Sequence, residues 1–318
     1  MMRPFERGVA IISIDTELMW GYRDLMGEAK FQARFPDSPI AHTQMLARFC
    51  AAQVSATWFV VGALALHDAA PGYPGRGPLW QCPVFLDCLR NASPSQEIGV
   101  HGGLTHLIWE QEKVTREMAS RELTEGIKAL HTICDDPWSF SFPRNREAYH
   151  DLLPQNRIRA FRGQPPALAW RIGHTVPGIA LRILDEMRCG TPPAVSPYEA
   201  FPGLWSIPAS MFLYPIGPKR SWLLGLRSRV ERFRRGLEAA ARSRAIFHFC
   251  LHPENLAESP QGMLLLDDLL DTLMRFRSRG DIEVLTMRDV LHRLQGEKSY
   301  ACQEQHQYPD LLETNRRS

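Results

Sequence analysis

The sequence predicts an α/β protein, a distorted or incomplete (β/α) barrel of about seven to eight repeats. Three observations carry that expectation. Short apolar runs alternate with helical patterns, as in parallel strands joined by helices. The 318 residues suit one large barrel domain. A hydrophobic content of 44% with 23% charged residues is that of a chain that buries a real core. An open doubly wound sheet is the second architecture the pattern admits.

Strands are expected at 9–15, 57–61, 97–101, 139–142, 158–161, 205–212, 245–251 and 282–285. Helices are expected around 41–53, 112–133, 147–154, 178–187, 222–243, 261–279 and 286–295. The Pro/Gly-rich stretch "PGYPGRGPLWQCP" (71–83) reads as a surface excursion over one end. Periodicity fades after about residue 296, which predicts one catalytic domain over 1–295 and a flexible tail over 296–318.

A net charge of +2 argues against a protein built to hold nucleic acid. The seven cysteines include no CxxC pair, so neither a zinc knuckle nor a disulfide frame is expected. The first apolar run, Val9 to Ile14, is interrupted by Asp15 where a signal peptide would continue. "ATWFVVGALAL" is too short to span a membrane. The expected location is the cytoplasm.

The chemistry-bearing residues fall in four blocks. "GVAIISIDTELMWG" ends a strand on Asp15 and Glu17. Two positions apart on a strand share a face, and in a barrel the strand's C-terminal end is where active sites are built. One carboxylate would hold a metal while its neighbour takes a proton from water; the alternative is a helix cap and a solvated loop carboxylate. "QEIGVHGGLTHLIW" carries His101 and His106. On one helix a five-residue step turns the second His by roughly 140°, so the pair meets one ion only if Gly102 and Gly103 turn the chain. His101 would end a strand and His106 open the next helix, with Thr105 as its cap. Two imidazoles and one carboxylate leave a metal position open for water.

In "FSFPRNREAYHDLL", Pro143 stops a strand and presents Arg144, Asn145 and Arg146. Arg144 could orient Asp15 or stabilise a negative transition state; an Arg-rich helix start is the other reading. In "AIFHFCLHPENLAESP", His252 lies at a strand's end and suits a general acid for a leaving amine. His248, four residues deeper, reads as a hydrogen-bonded core residue.

With these blocks in order, the sequence resembles the polysaccharide deacetylase family (NodB-homology, carbohydrate esterase 4 type). The resemblance rests on "SIDTE", "ATWFVVG", "EIGVHGGLTH", "FSFPRN" and "FHFCLHPENL", and spans roughly residues 9–290. It implies a NodB-like distorted barrel, a divalent metal ion, most simply zinc, and removal of an N-acetyl or related N-acyl group from a sugar. By position it makes Asp15 the base, Glu17, His101 and His106 the metal ligands, and His252 the acid. The chain departs from the family in three places: Thr16 stands where a second Asp is usual, four residues separate the histidines rather than three, and Ser141 holds the place of an Arg. Either Arg144 or Arg162 in "AFRG" would then supply the guanidinium.

The implied partner is an amino sugar carried on a nucleotide or a lipid, as in surface-polysaccharide precursor processing. A deformylase, a hydrolase of another amide, or a glycan-binding barrel without turnover are the alternatives. Segment 219–244 has an apolar stripe at 223, 226, 230, 233 and 237 with Arg227, Arg229, Arg232, Arg234 and Arg235 around it. It reads either as an outer helix with solvated arginines or, with Trp222, as a peripheral contact at the inner membrane face or with a diphosphate-linked sugar. Trp20, Trp109 and Trp205 are candidates for stacking on sugar rings or for the core.

Overall fold

The structure, a computed structural model, describes residues 5–166, 175–187, 189–214 and 225–296. Strand β1 (Gly8–Thr16) is buried along its whole length, as a strand covered on both faces must be. The others are β2 (Thr57–Val60), β3 (Glu97–His101), β4 (Ser139–Ser141), β5 (Ala160–Gly163), β6 (Tyr198–Phe201), β7 (Leu204–Pro208), β8 (Met211–Phe212), β9 (Ile246–Leu251) and β10 (Ile282–Val284). Their order across the sheet is β6-β7-β5-β4-β3-β2-β1-β9-β8, with β10 also on β1. Only β6 runs antiparallel to its neighbour among the described strands.

The sheet curls, and one chain segment bridges its ends. Ala209 N–H donates to Gly163 O on β5 and Ser210 N–H to His248 O on β9. The single strand expected over 205–212 is therefore two, β7 and β8, because the chain crosses there from one side of the barrel to the other. The strand expected at 97–101 is found at those bounds, and the remaining expected strands with shifted ends.

The helices are α1 (Glu28–Arg34), α2 (Ser38–Ala51), α3 (Pro83–Arg90), α4 (Arg116–Leu130), α5 (Leu152–Gln155), α6 (Val176–Met187), α7 (Leu226–Ser243), α8 (Pro253–Ala257), α9 (Gly262–Ser278) and α10 (Met287–Leu294). The short α1, α3 and α8 and the exposed β6 have too few residues to show a period, and the sequence reading did not anticipate them. None of the described helices is long and apolar enough to cross a membrane.

Burial settles the open reading of Trp20 and Trp109 and changes that of two arginines on α7. Trp20 and Trp109 are fully buried and serve the core: Trp20 packs edge-on against Trp80 and donates its indole N–H to Trp80 O at 2.9 Å. The 71–83 excursion is thereby anchored through its last residues. On α7, Arg229 and Arg232 are buried rather than solvated, donating to Tyr214 O and Gly190 O. Arg234 and Arg235 pair with Glu231, and Arg234 also with Glu238. Trp222, with residues 219–224, and the tail from 297 lie outside the described residues.

Trp58 on β2 is fully buried between α2 and α3, its ring 6.0 Å from Phe49 and 5.6 Å from Phe85. Trp58→Ala leaves a cavity the surrounding helices cannot fill and costs about 3–5 kcal/mol, to be read from urea unfolding midpoints.

Candidate metal centre and its surroundings

Because β1, β3, β5 and β9 run parallel, their C-terminal ends meet at one rim. β1 delivers Asp15 and, one residue past its end, Glu17; β3 delivers His101; β5 delivers Arg162; His252 follows β9 directly. His106 arrives from a loop. It does not open a helix: α4 starts at Arg116 and is capped by Thr115, while His106 sits in the left-handed region at φ 59°. Gly102 and Gly103 make the turn the sequence called for, with φ of 69° and 117°. The same turn brings the two imidazole rings to 4.7 Å between centroids.

The side chains of Glu17, His101 and His106 converge with their donor atoms within 4.8 Å of one another, all buried. Glu17 Oε2 stands 3.1 Å from His101 Nε2 and 3.0 Å from His106 Nε2. His101 Nδ1 lies 3.0 Å from Ser141 O, an acceptor only, so in the neutral ring the proton sits on Nδ1 and Nε2 turns a lone pair toward Glu17. A backbone carbonyl behind a histidine is the usual support of a metal ligand. His106 Nε2 is buried and lacks a hydrogen bond although the carboxylate is close. Two imidazole nitrogens and an anionic oxygen facing one space are a donor set that could hold a divalent cation, and the residues fit the ion the sequence implied.

Asp15 lies beside this set. Arg162 grips it with two bonds of 2.7 Å, Nη1 to Oδ1 and Nη2 to Oδ2, and both residues are buried. His252 Nε2 stands 3.4 Å from Asp15 Oδ2 and 3.4 Å from Glu17 Oε1. Of these six side chains His252 alone is substantially open, at 25% exposure against 1–7% for the carboxylates, His101, His106 and Arg162. Solvent reaches the site past it.

Burial pushes the Asp15 carboxyl up, but Arg162, then His101 and His252, outweigh it and bring it down to about 2. Glu17 is likewise raised by burial and then carried well below the carboxylate range by His252 and His106. Burial lowers both His101 and His106. Asp15 and Glu17 reverse this for His101, whereas His106 remains below its ordinary value. Both carboxylates are ionised at neutral pH.

Of the two arginines the sequence left open, Arg162 holds Asp15. Arg144, at φ 54°, pairs with Asp24 at 2.5 Å on the outer rim, and Arg146 with Glu110 at 3.6 Å. His248 is the expected core residue, Nε2 2.9 Å from Ser13 Oγ.

Sequence reading missed a buried acid behind the site. Glu254, in the first turn of α8, is fully buried; its Oε1 accepts from Ser38 Oγ at 3.0 Å and its Oε2 has no partner. His42 Nε2 is 3.9 Å away. The only signal was a charged residue two places after His252. Burial, then the charge of Glu17, push Glu254 up to about 8, while burial pushes His42 down to about 4.

Two outcomes follow. Arg162→Met strands the Asp15 carboxylate in the interior and costs about 3–5 kcal/mol, read by denaturant unfolding at pH 7. Glu254, raised above its unfolded value of 4.5, keeps a proton in the native state that the unfolded chain releases. Its contribution is full below pH 4.5 and is lost as pH rises toward 8. The stability of Glu254→Gln relative to the unaltered chain therefore climbs across that window and levels off above it, measured on chelator-treated protein by urea titration at stepped pH.

No known family's profile matches this sequence, and no curated protein sequence matches it significantly. Solved structures do match, through their fold. A protein described as a polysaccharide deacetylase from Mycobacterium smegmatis is 18% identical, the match covering 92% of this chain and 93% of that one, with a TM-score of 0.62. Another so described, from Pseudomonas aeruginosa PAO1, is 9% identical over 91% of each chain, with a TM-score of 0.59. Puue Allantoinase is 9% identical over 92% and 91%, also at 0.59. By architecture this chain has the NodB-like fold of the polysaccharide deacetylases.

Proposed function

We propose that the chain is a metal-dependent hydrolase that removes an N-acetyl or related N-acyl group from an amino sugar. The observation that carries this reading is the meeting of Glu17, His101 and His106 beside a carboxylate–guanidinium pair and a half-open imidazole. On this reading Glu17, His101 and His106 hold the ion, most simply zinc. A bound divalent cation supplies Lewis-acid polarisation of the acyl carbonyl and of the attacking water.

The rest falls to the chain's own groups. Asp15, ionised and held in one orientation by Arg162, accepts the proton of the water as its oxygen bonds to the acyl carbon. Its low basicity makes it a brief holder of that proton. Protonated His252, 3.4 Å from Asp15, gives a proton to the departing nitrogen as the C–N bond breaks. Asp15 returns its proton to His252, and the products are a free amine and a carboxylic acid that ionises to the carboxylate by losing its proton to solvent. Arg144, on the outer rim, would meet the substrate's flanking groups, not the reacting atoms.

The proposed substrate is an acylated amino sugar still attached to a nucleotide or lipid carrier, met in the cytoplasm or at the inner membrane face during surface-polysaccharide assembly. Residues 1–295 would form the one catalytic domain. A second reading keeps the site and changes the amide, to a formamide or a non-sugar amide; the equal fold likeness to an allantoinase and to the Pseudomonas protein motivates it.

Purified protein should carry about one divalent ion per chain, lost in Glu17→Ala and His101→Ala, with acetate or formate released from N-acylated sugars, nucleotide sugars or lipid-linked sugars. Asp15→Asn should keep the ion and lose at least about a hundredfold in acid release, the general-base share of such a reaction. Turnover that survives Asp15→Asn overturns the base assignment, and metal-free protein that binds glycan without turnover overturns the enzyme reading.

A further inference from the structure

His101 needs no help to stay in place: it ends a strand and is tied to Ser141 on β4. His106 belongs to no strand or helix, and its backbone is in a conformation that L residues adopt at a cost. Something else must hold it. The loop that carries it is fixed from the outside by α4. Glu122 Oε1 accepts from the backbone N–H of Thr105 and, at 2.9 Å, from Thr105 Oγ1. The contacts thus fix the residue directly before His106.

The backbone of Glu122 joins in, its carbonyl accepting from Leu104 N–H at 3.0 Å. This approach is possible because Gly126, one turn along the same face of α4, lets the helix lie on the loop: a Cβ there would come within 2.3 Å of Gly103 C. Trp109 Nε1 closes the far side, donating to Gly102 O at 3.0 Å.

We infer that Glu122 is the positioning residue for His106, setting where its imidazole meets Glu17 through its hold on Thr105. The inference rests on the reading of Glu17, His101 and His106 as metal ligands. A carboxylate on the packed face of a helix, binding an amide and a hydroxyl of the loop, acts here as the support that a ligand histidine on a strand obtains from its ladder. Loss of such a support costs about 10–100-fold in metal affinity.

The test is Zn2+ affinity of metal-free protein, measured at 25 °C by competition with a chromogenic chelator, with the Co2+ absorption spectrum as a second readout. E122A should bind Zn2+ about 10–100-fold more weakly and shift the Co2+ bands, while E122Q, whose amide oxygen still accepts from Thr105, stays within a few-fold of the unaltered chain. A merely structural glutamate would lower the melting temperature and leave the affinity and bands of the folded protein unchanged; that result overturns the inference. Should E122A fail to fold by circular dichroism, E122D decides, because it keeps the charge and shortens the reach: it should lose affinity like E122A, and unchanged affinity overturns the proposal. An unaltered chain that takes up no Zn2+ overturns the metal reading and this inference together, whereas tight binding equal in all variants overturns only the role of Glu122.

Discussion

Two imidazole nitrogens stand 3.1 and 3.0 Å from a single buried carboxylate oxygen, and the rim of the barrel is organised around keeping them there. Three electron-rich atoms at that spacing need a positive charge among them, whether a proton or a metal ion. The fold does not relieve the need by moving them apart. Asp15 adds a second negative charge beside them, and Arg162 balances it from the opposite side with a bidentate bond. The pair is stable in the interior because both partners satisfy each other; either one alone would be a buried charge.

Parallel pairing makes this arrangement possible. His101 stands in register with Ser141, and Ser141 with Arg162, so groups from distant parts of the chain reach one level of the barrel. Small hydroxyl residues in the interior leave room for the long arginine side chain. It runs across from β5 to β1, past the rings of Phe59 and Phe212. Where strands end, the backbone is less relaxed: Leu18, His106, Arg144 and Asn145 all have positive φ. Such conformations persist only where surrounding contacts over-determine them, and the core beneath supplies those contacts.

The same rim holds a second layer of polar groups that are not aimed at the space between Glu17, His101 and His106. Glu254 with Ser38 and His42 lies behind His252, and Glu122 with Thr105 lies behind His106. Both are carboxylates on helices that follow or flank a rim residue. They show how the helical layer contributes to the site without touching its centre.

Much of this was legible in the chain. Alternating apolar runs announced the strands, and Asp15, Glu17, His101 and His252 could be placed at strand ends because period two and the halts at Gly and Pro are local properties. The Gly102–Gly103 turn was likewise readable, since only glycine reaches those angles without strain. What the sequence could not decide was which of two arginines meets Asp15, how His106 is held, and which tryptophans and arginines are buried. Arg162 and Arg144 look alike along the chain; the curl of the sheet puts one across from Asp15 and turns the other to the outer rim. Glu122 left a faint trace, a charge between Ala119 and Gly126 on an otherwise apolar face, but its meaning depends on a loop sixteen or more residues away. Local pattern determines where a strand ends and which side chains share its face, because those follow from backbone geometry alone. Which distant ends come together is decided only by the closing of the sheet, because that depends on packing summed over the whole core.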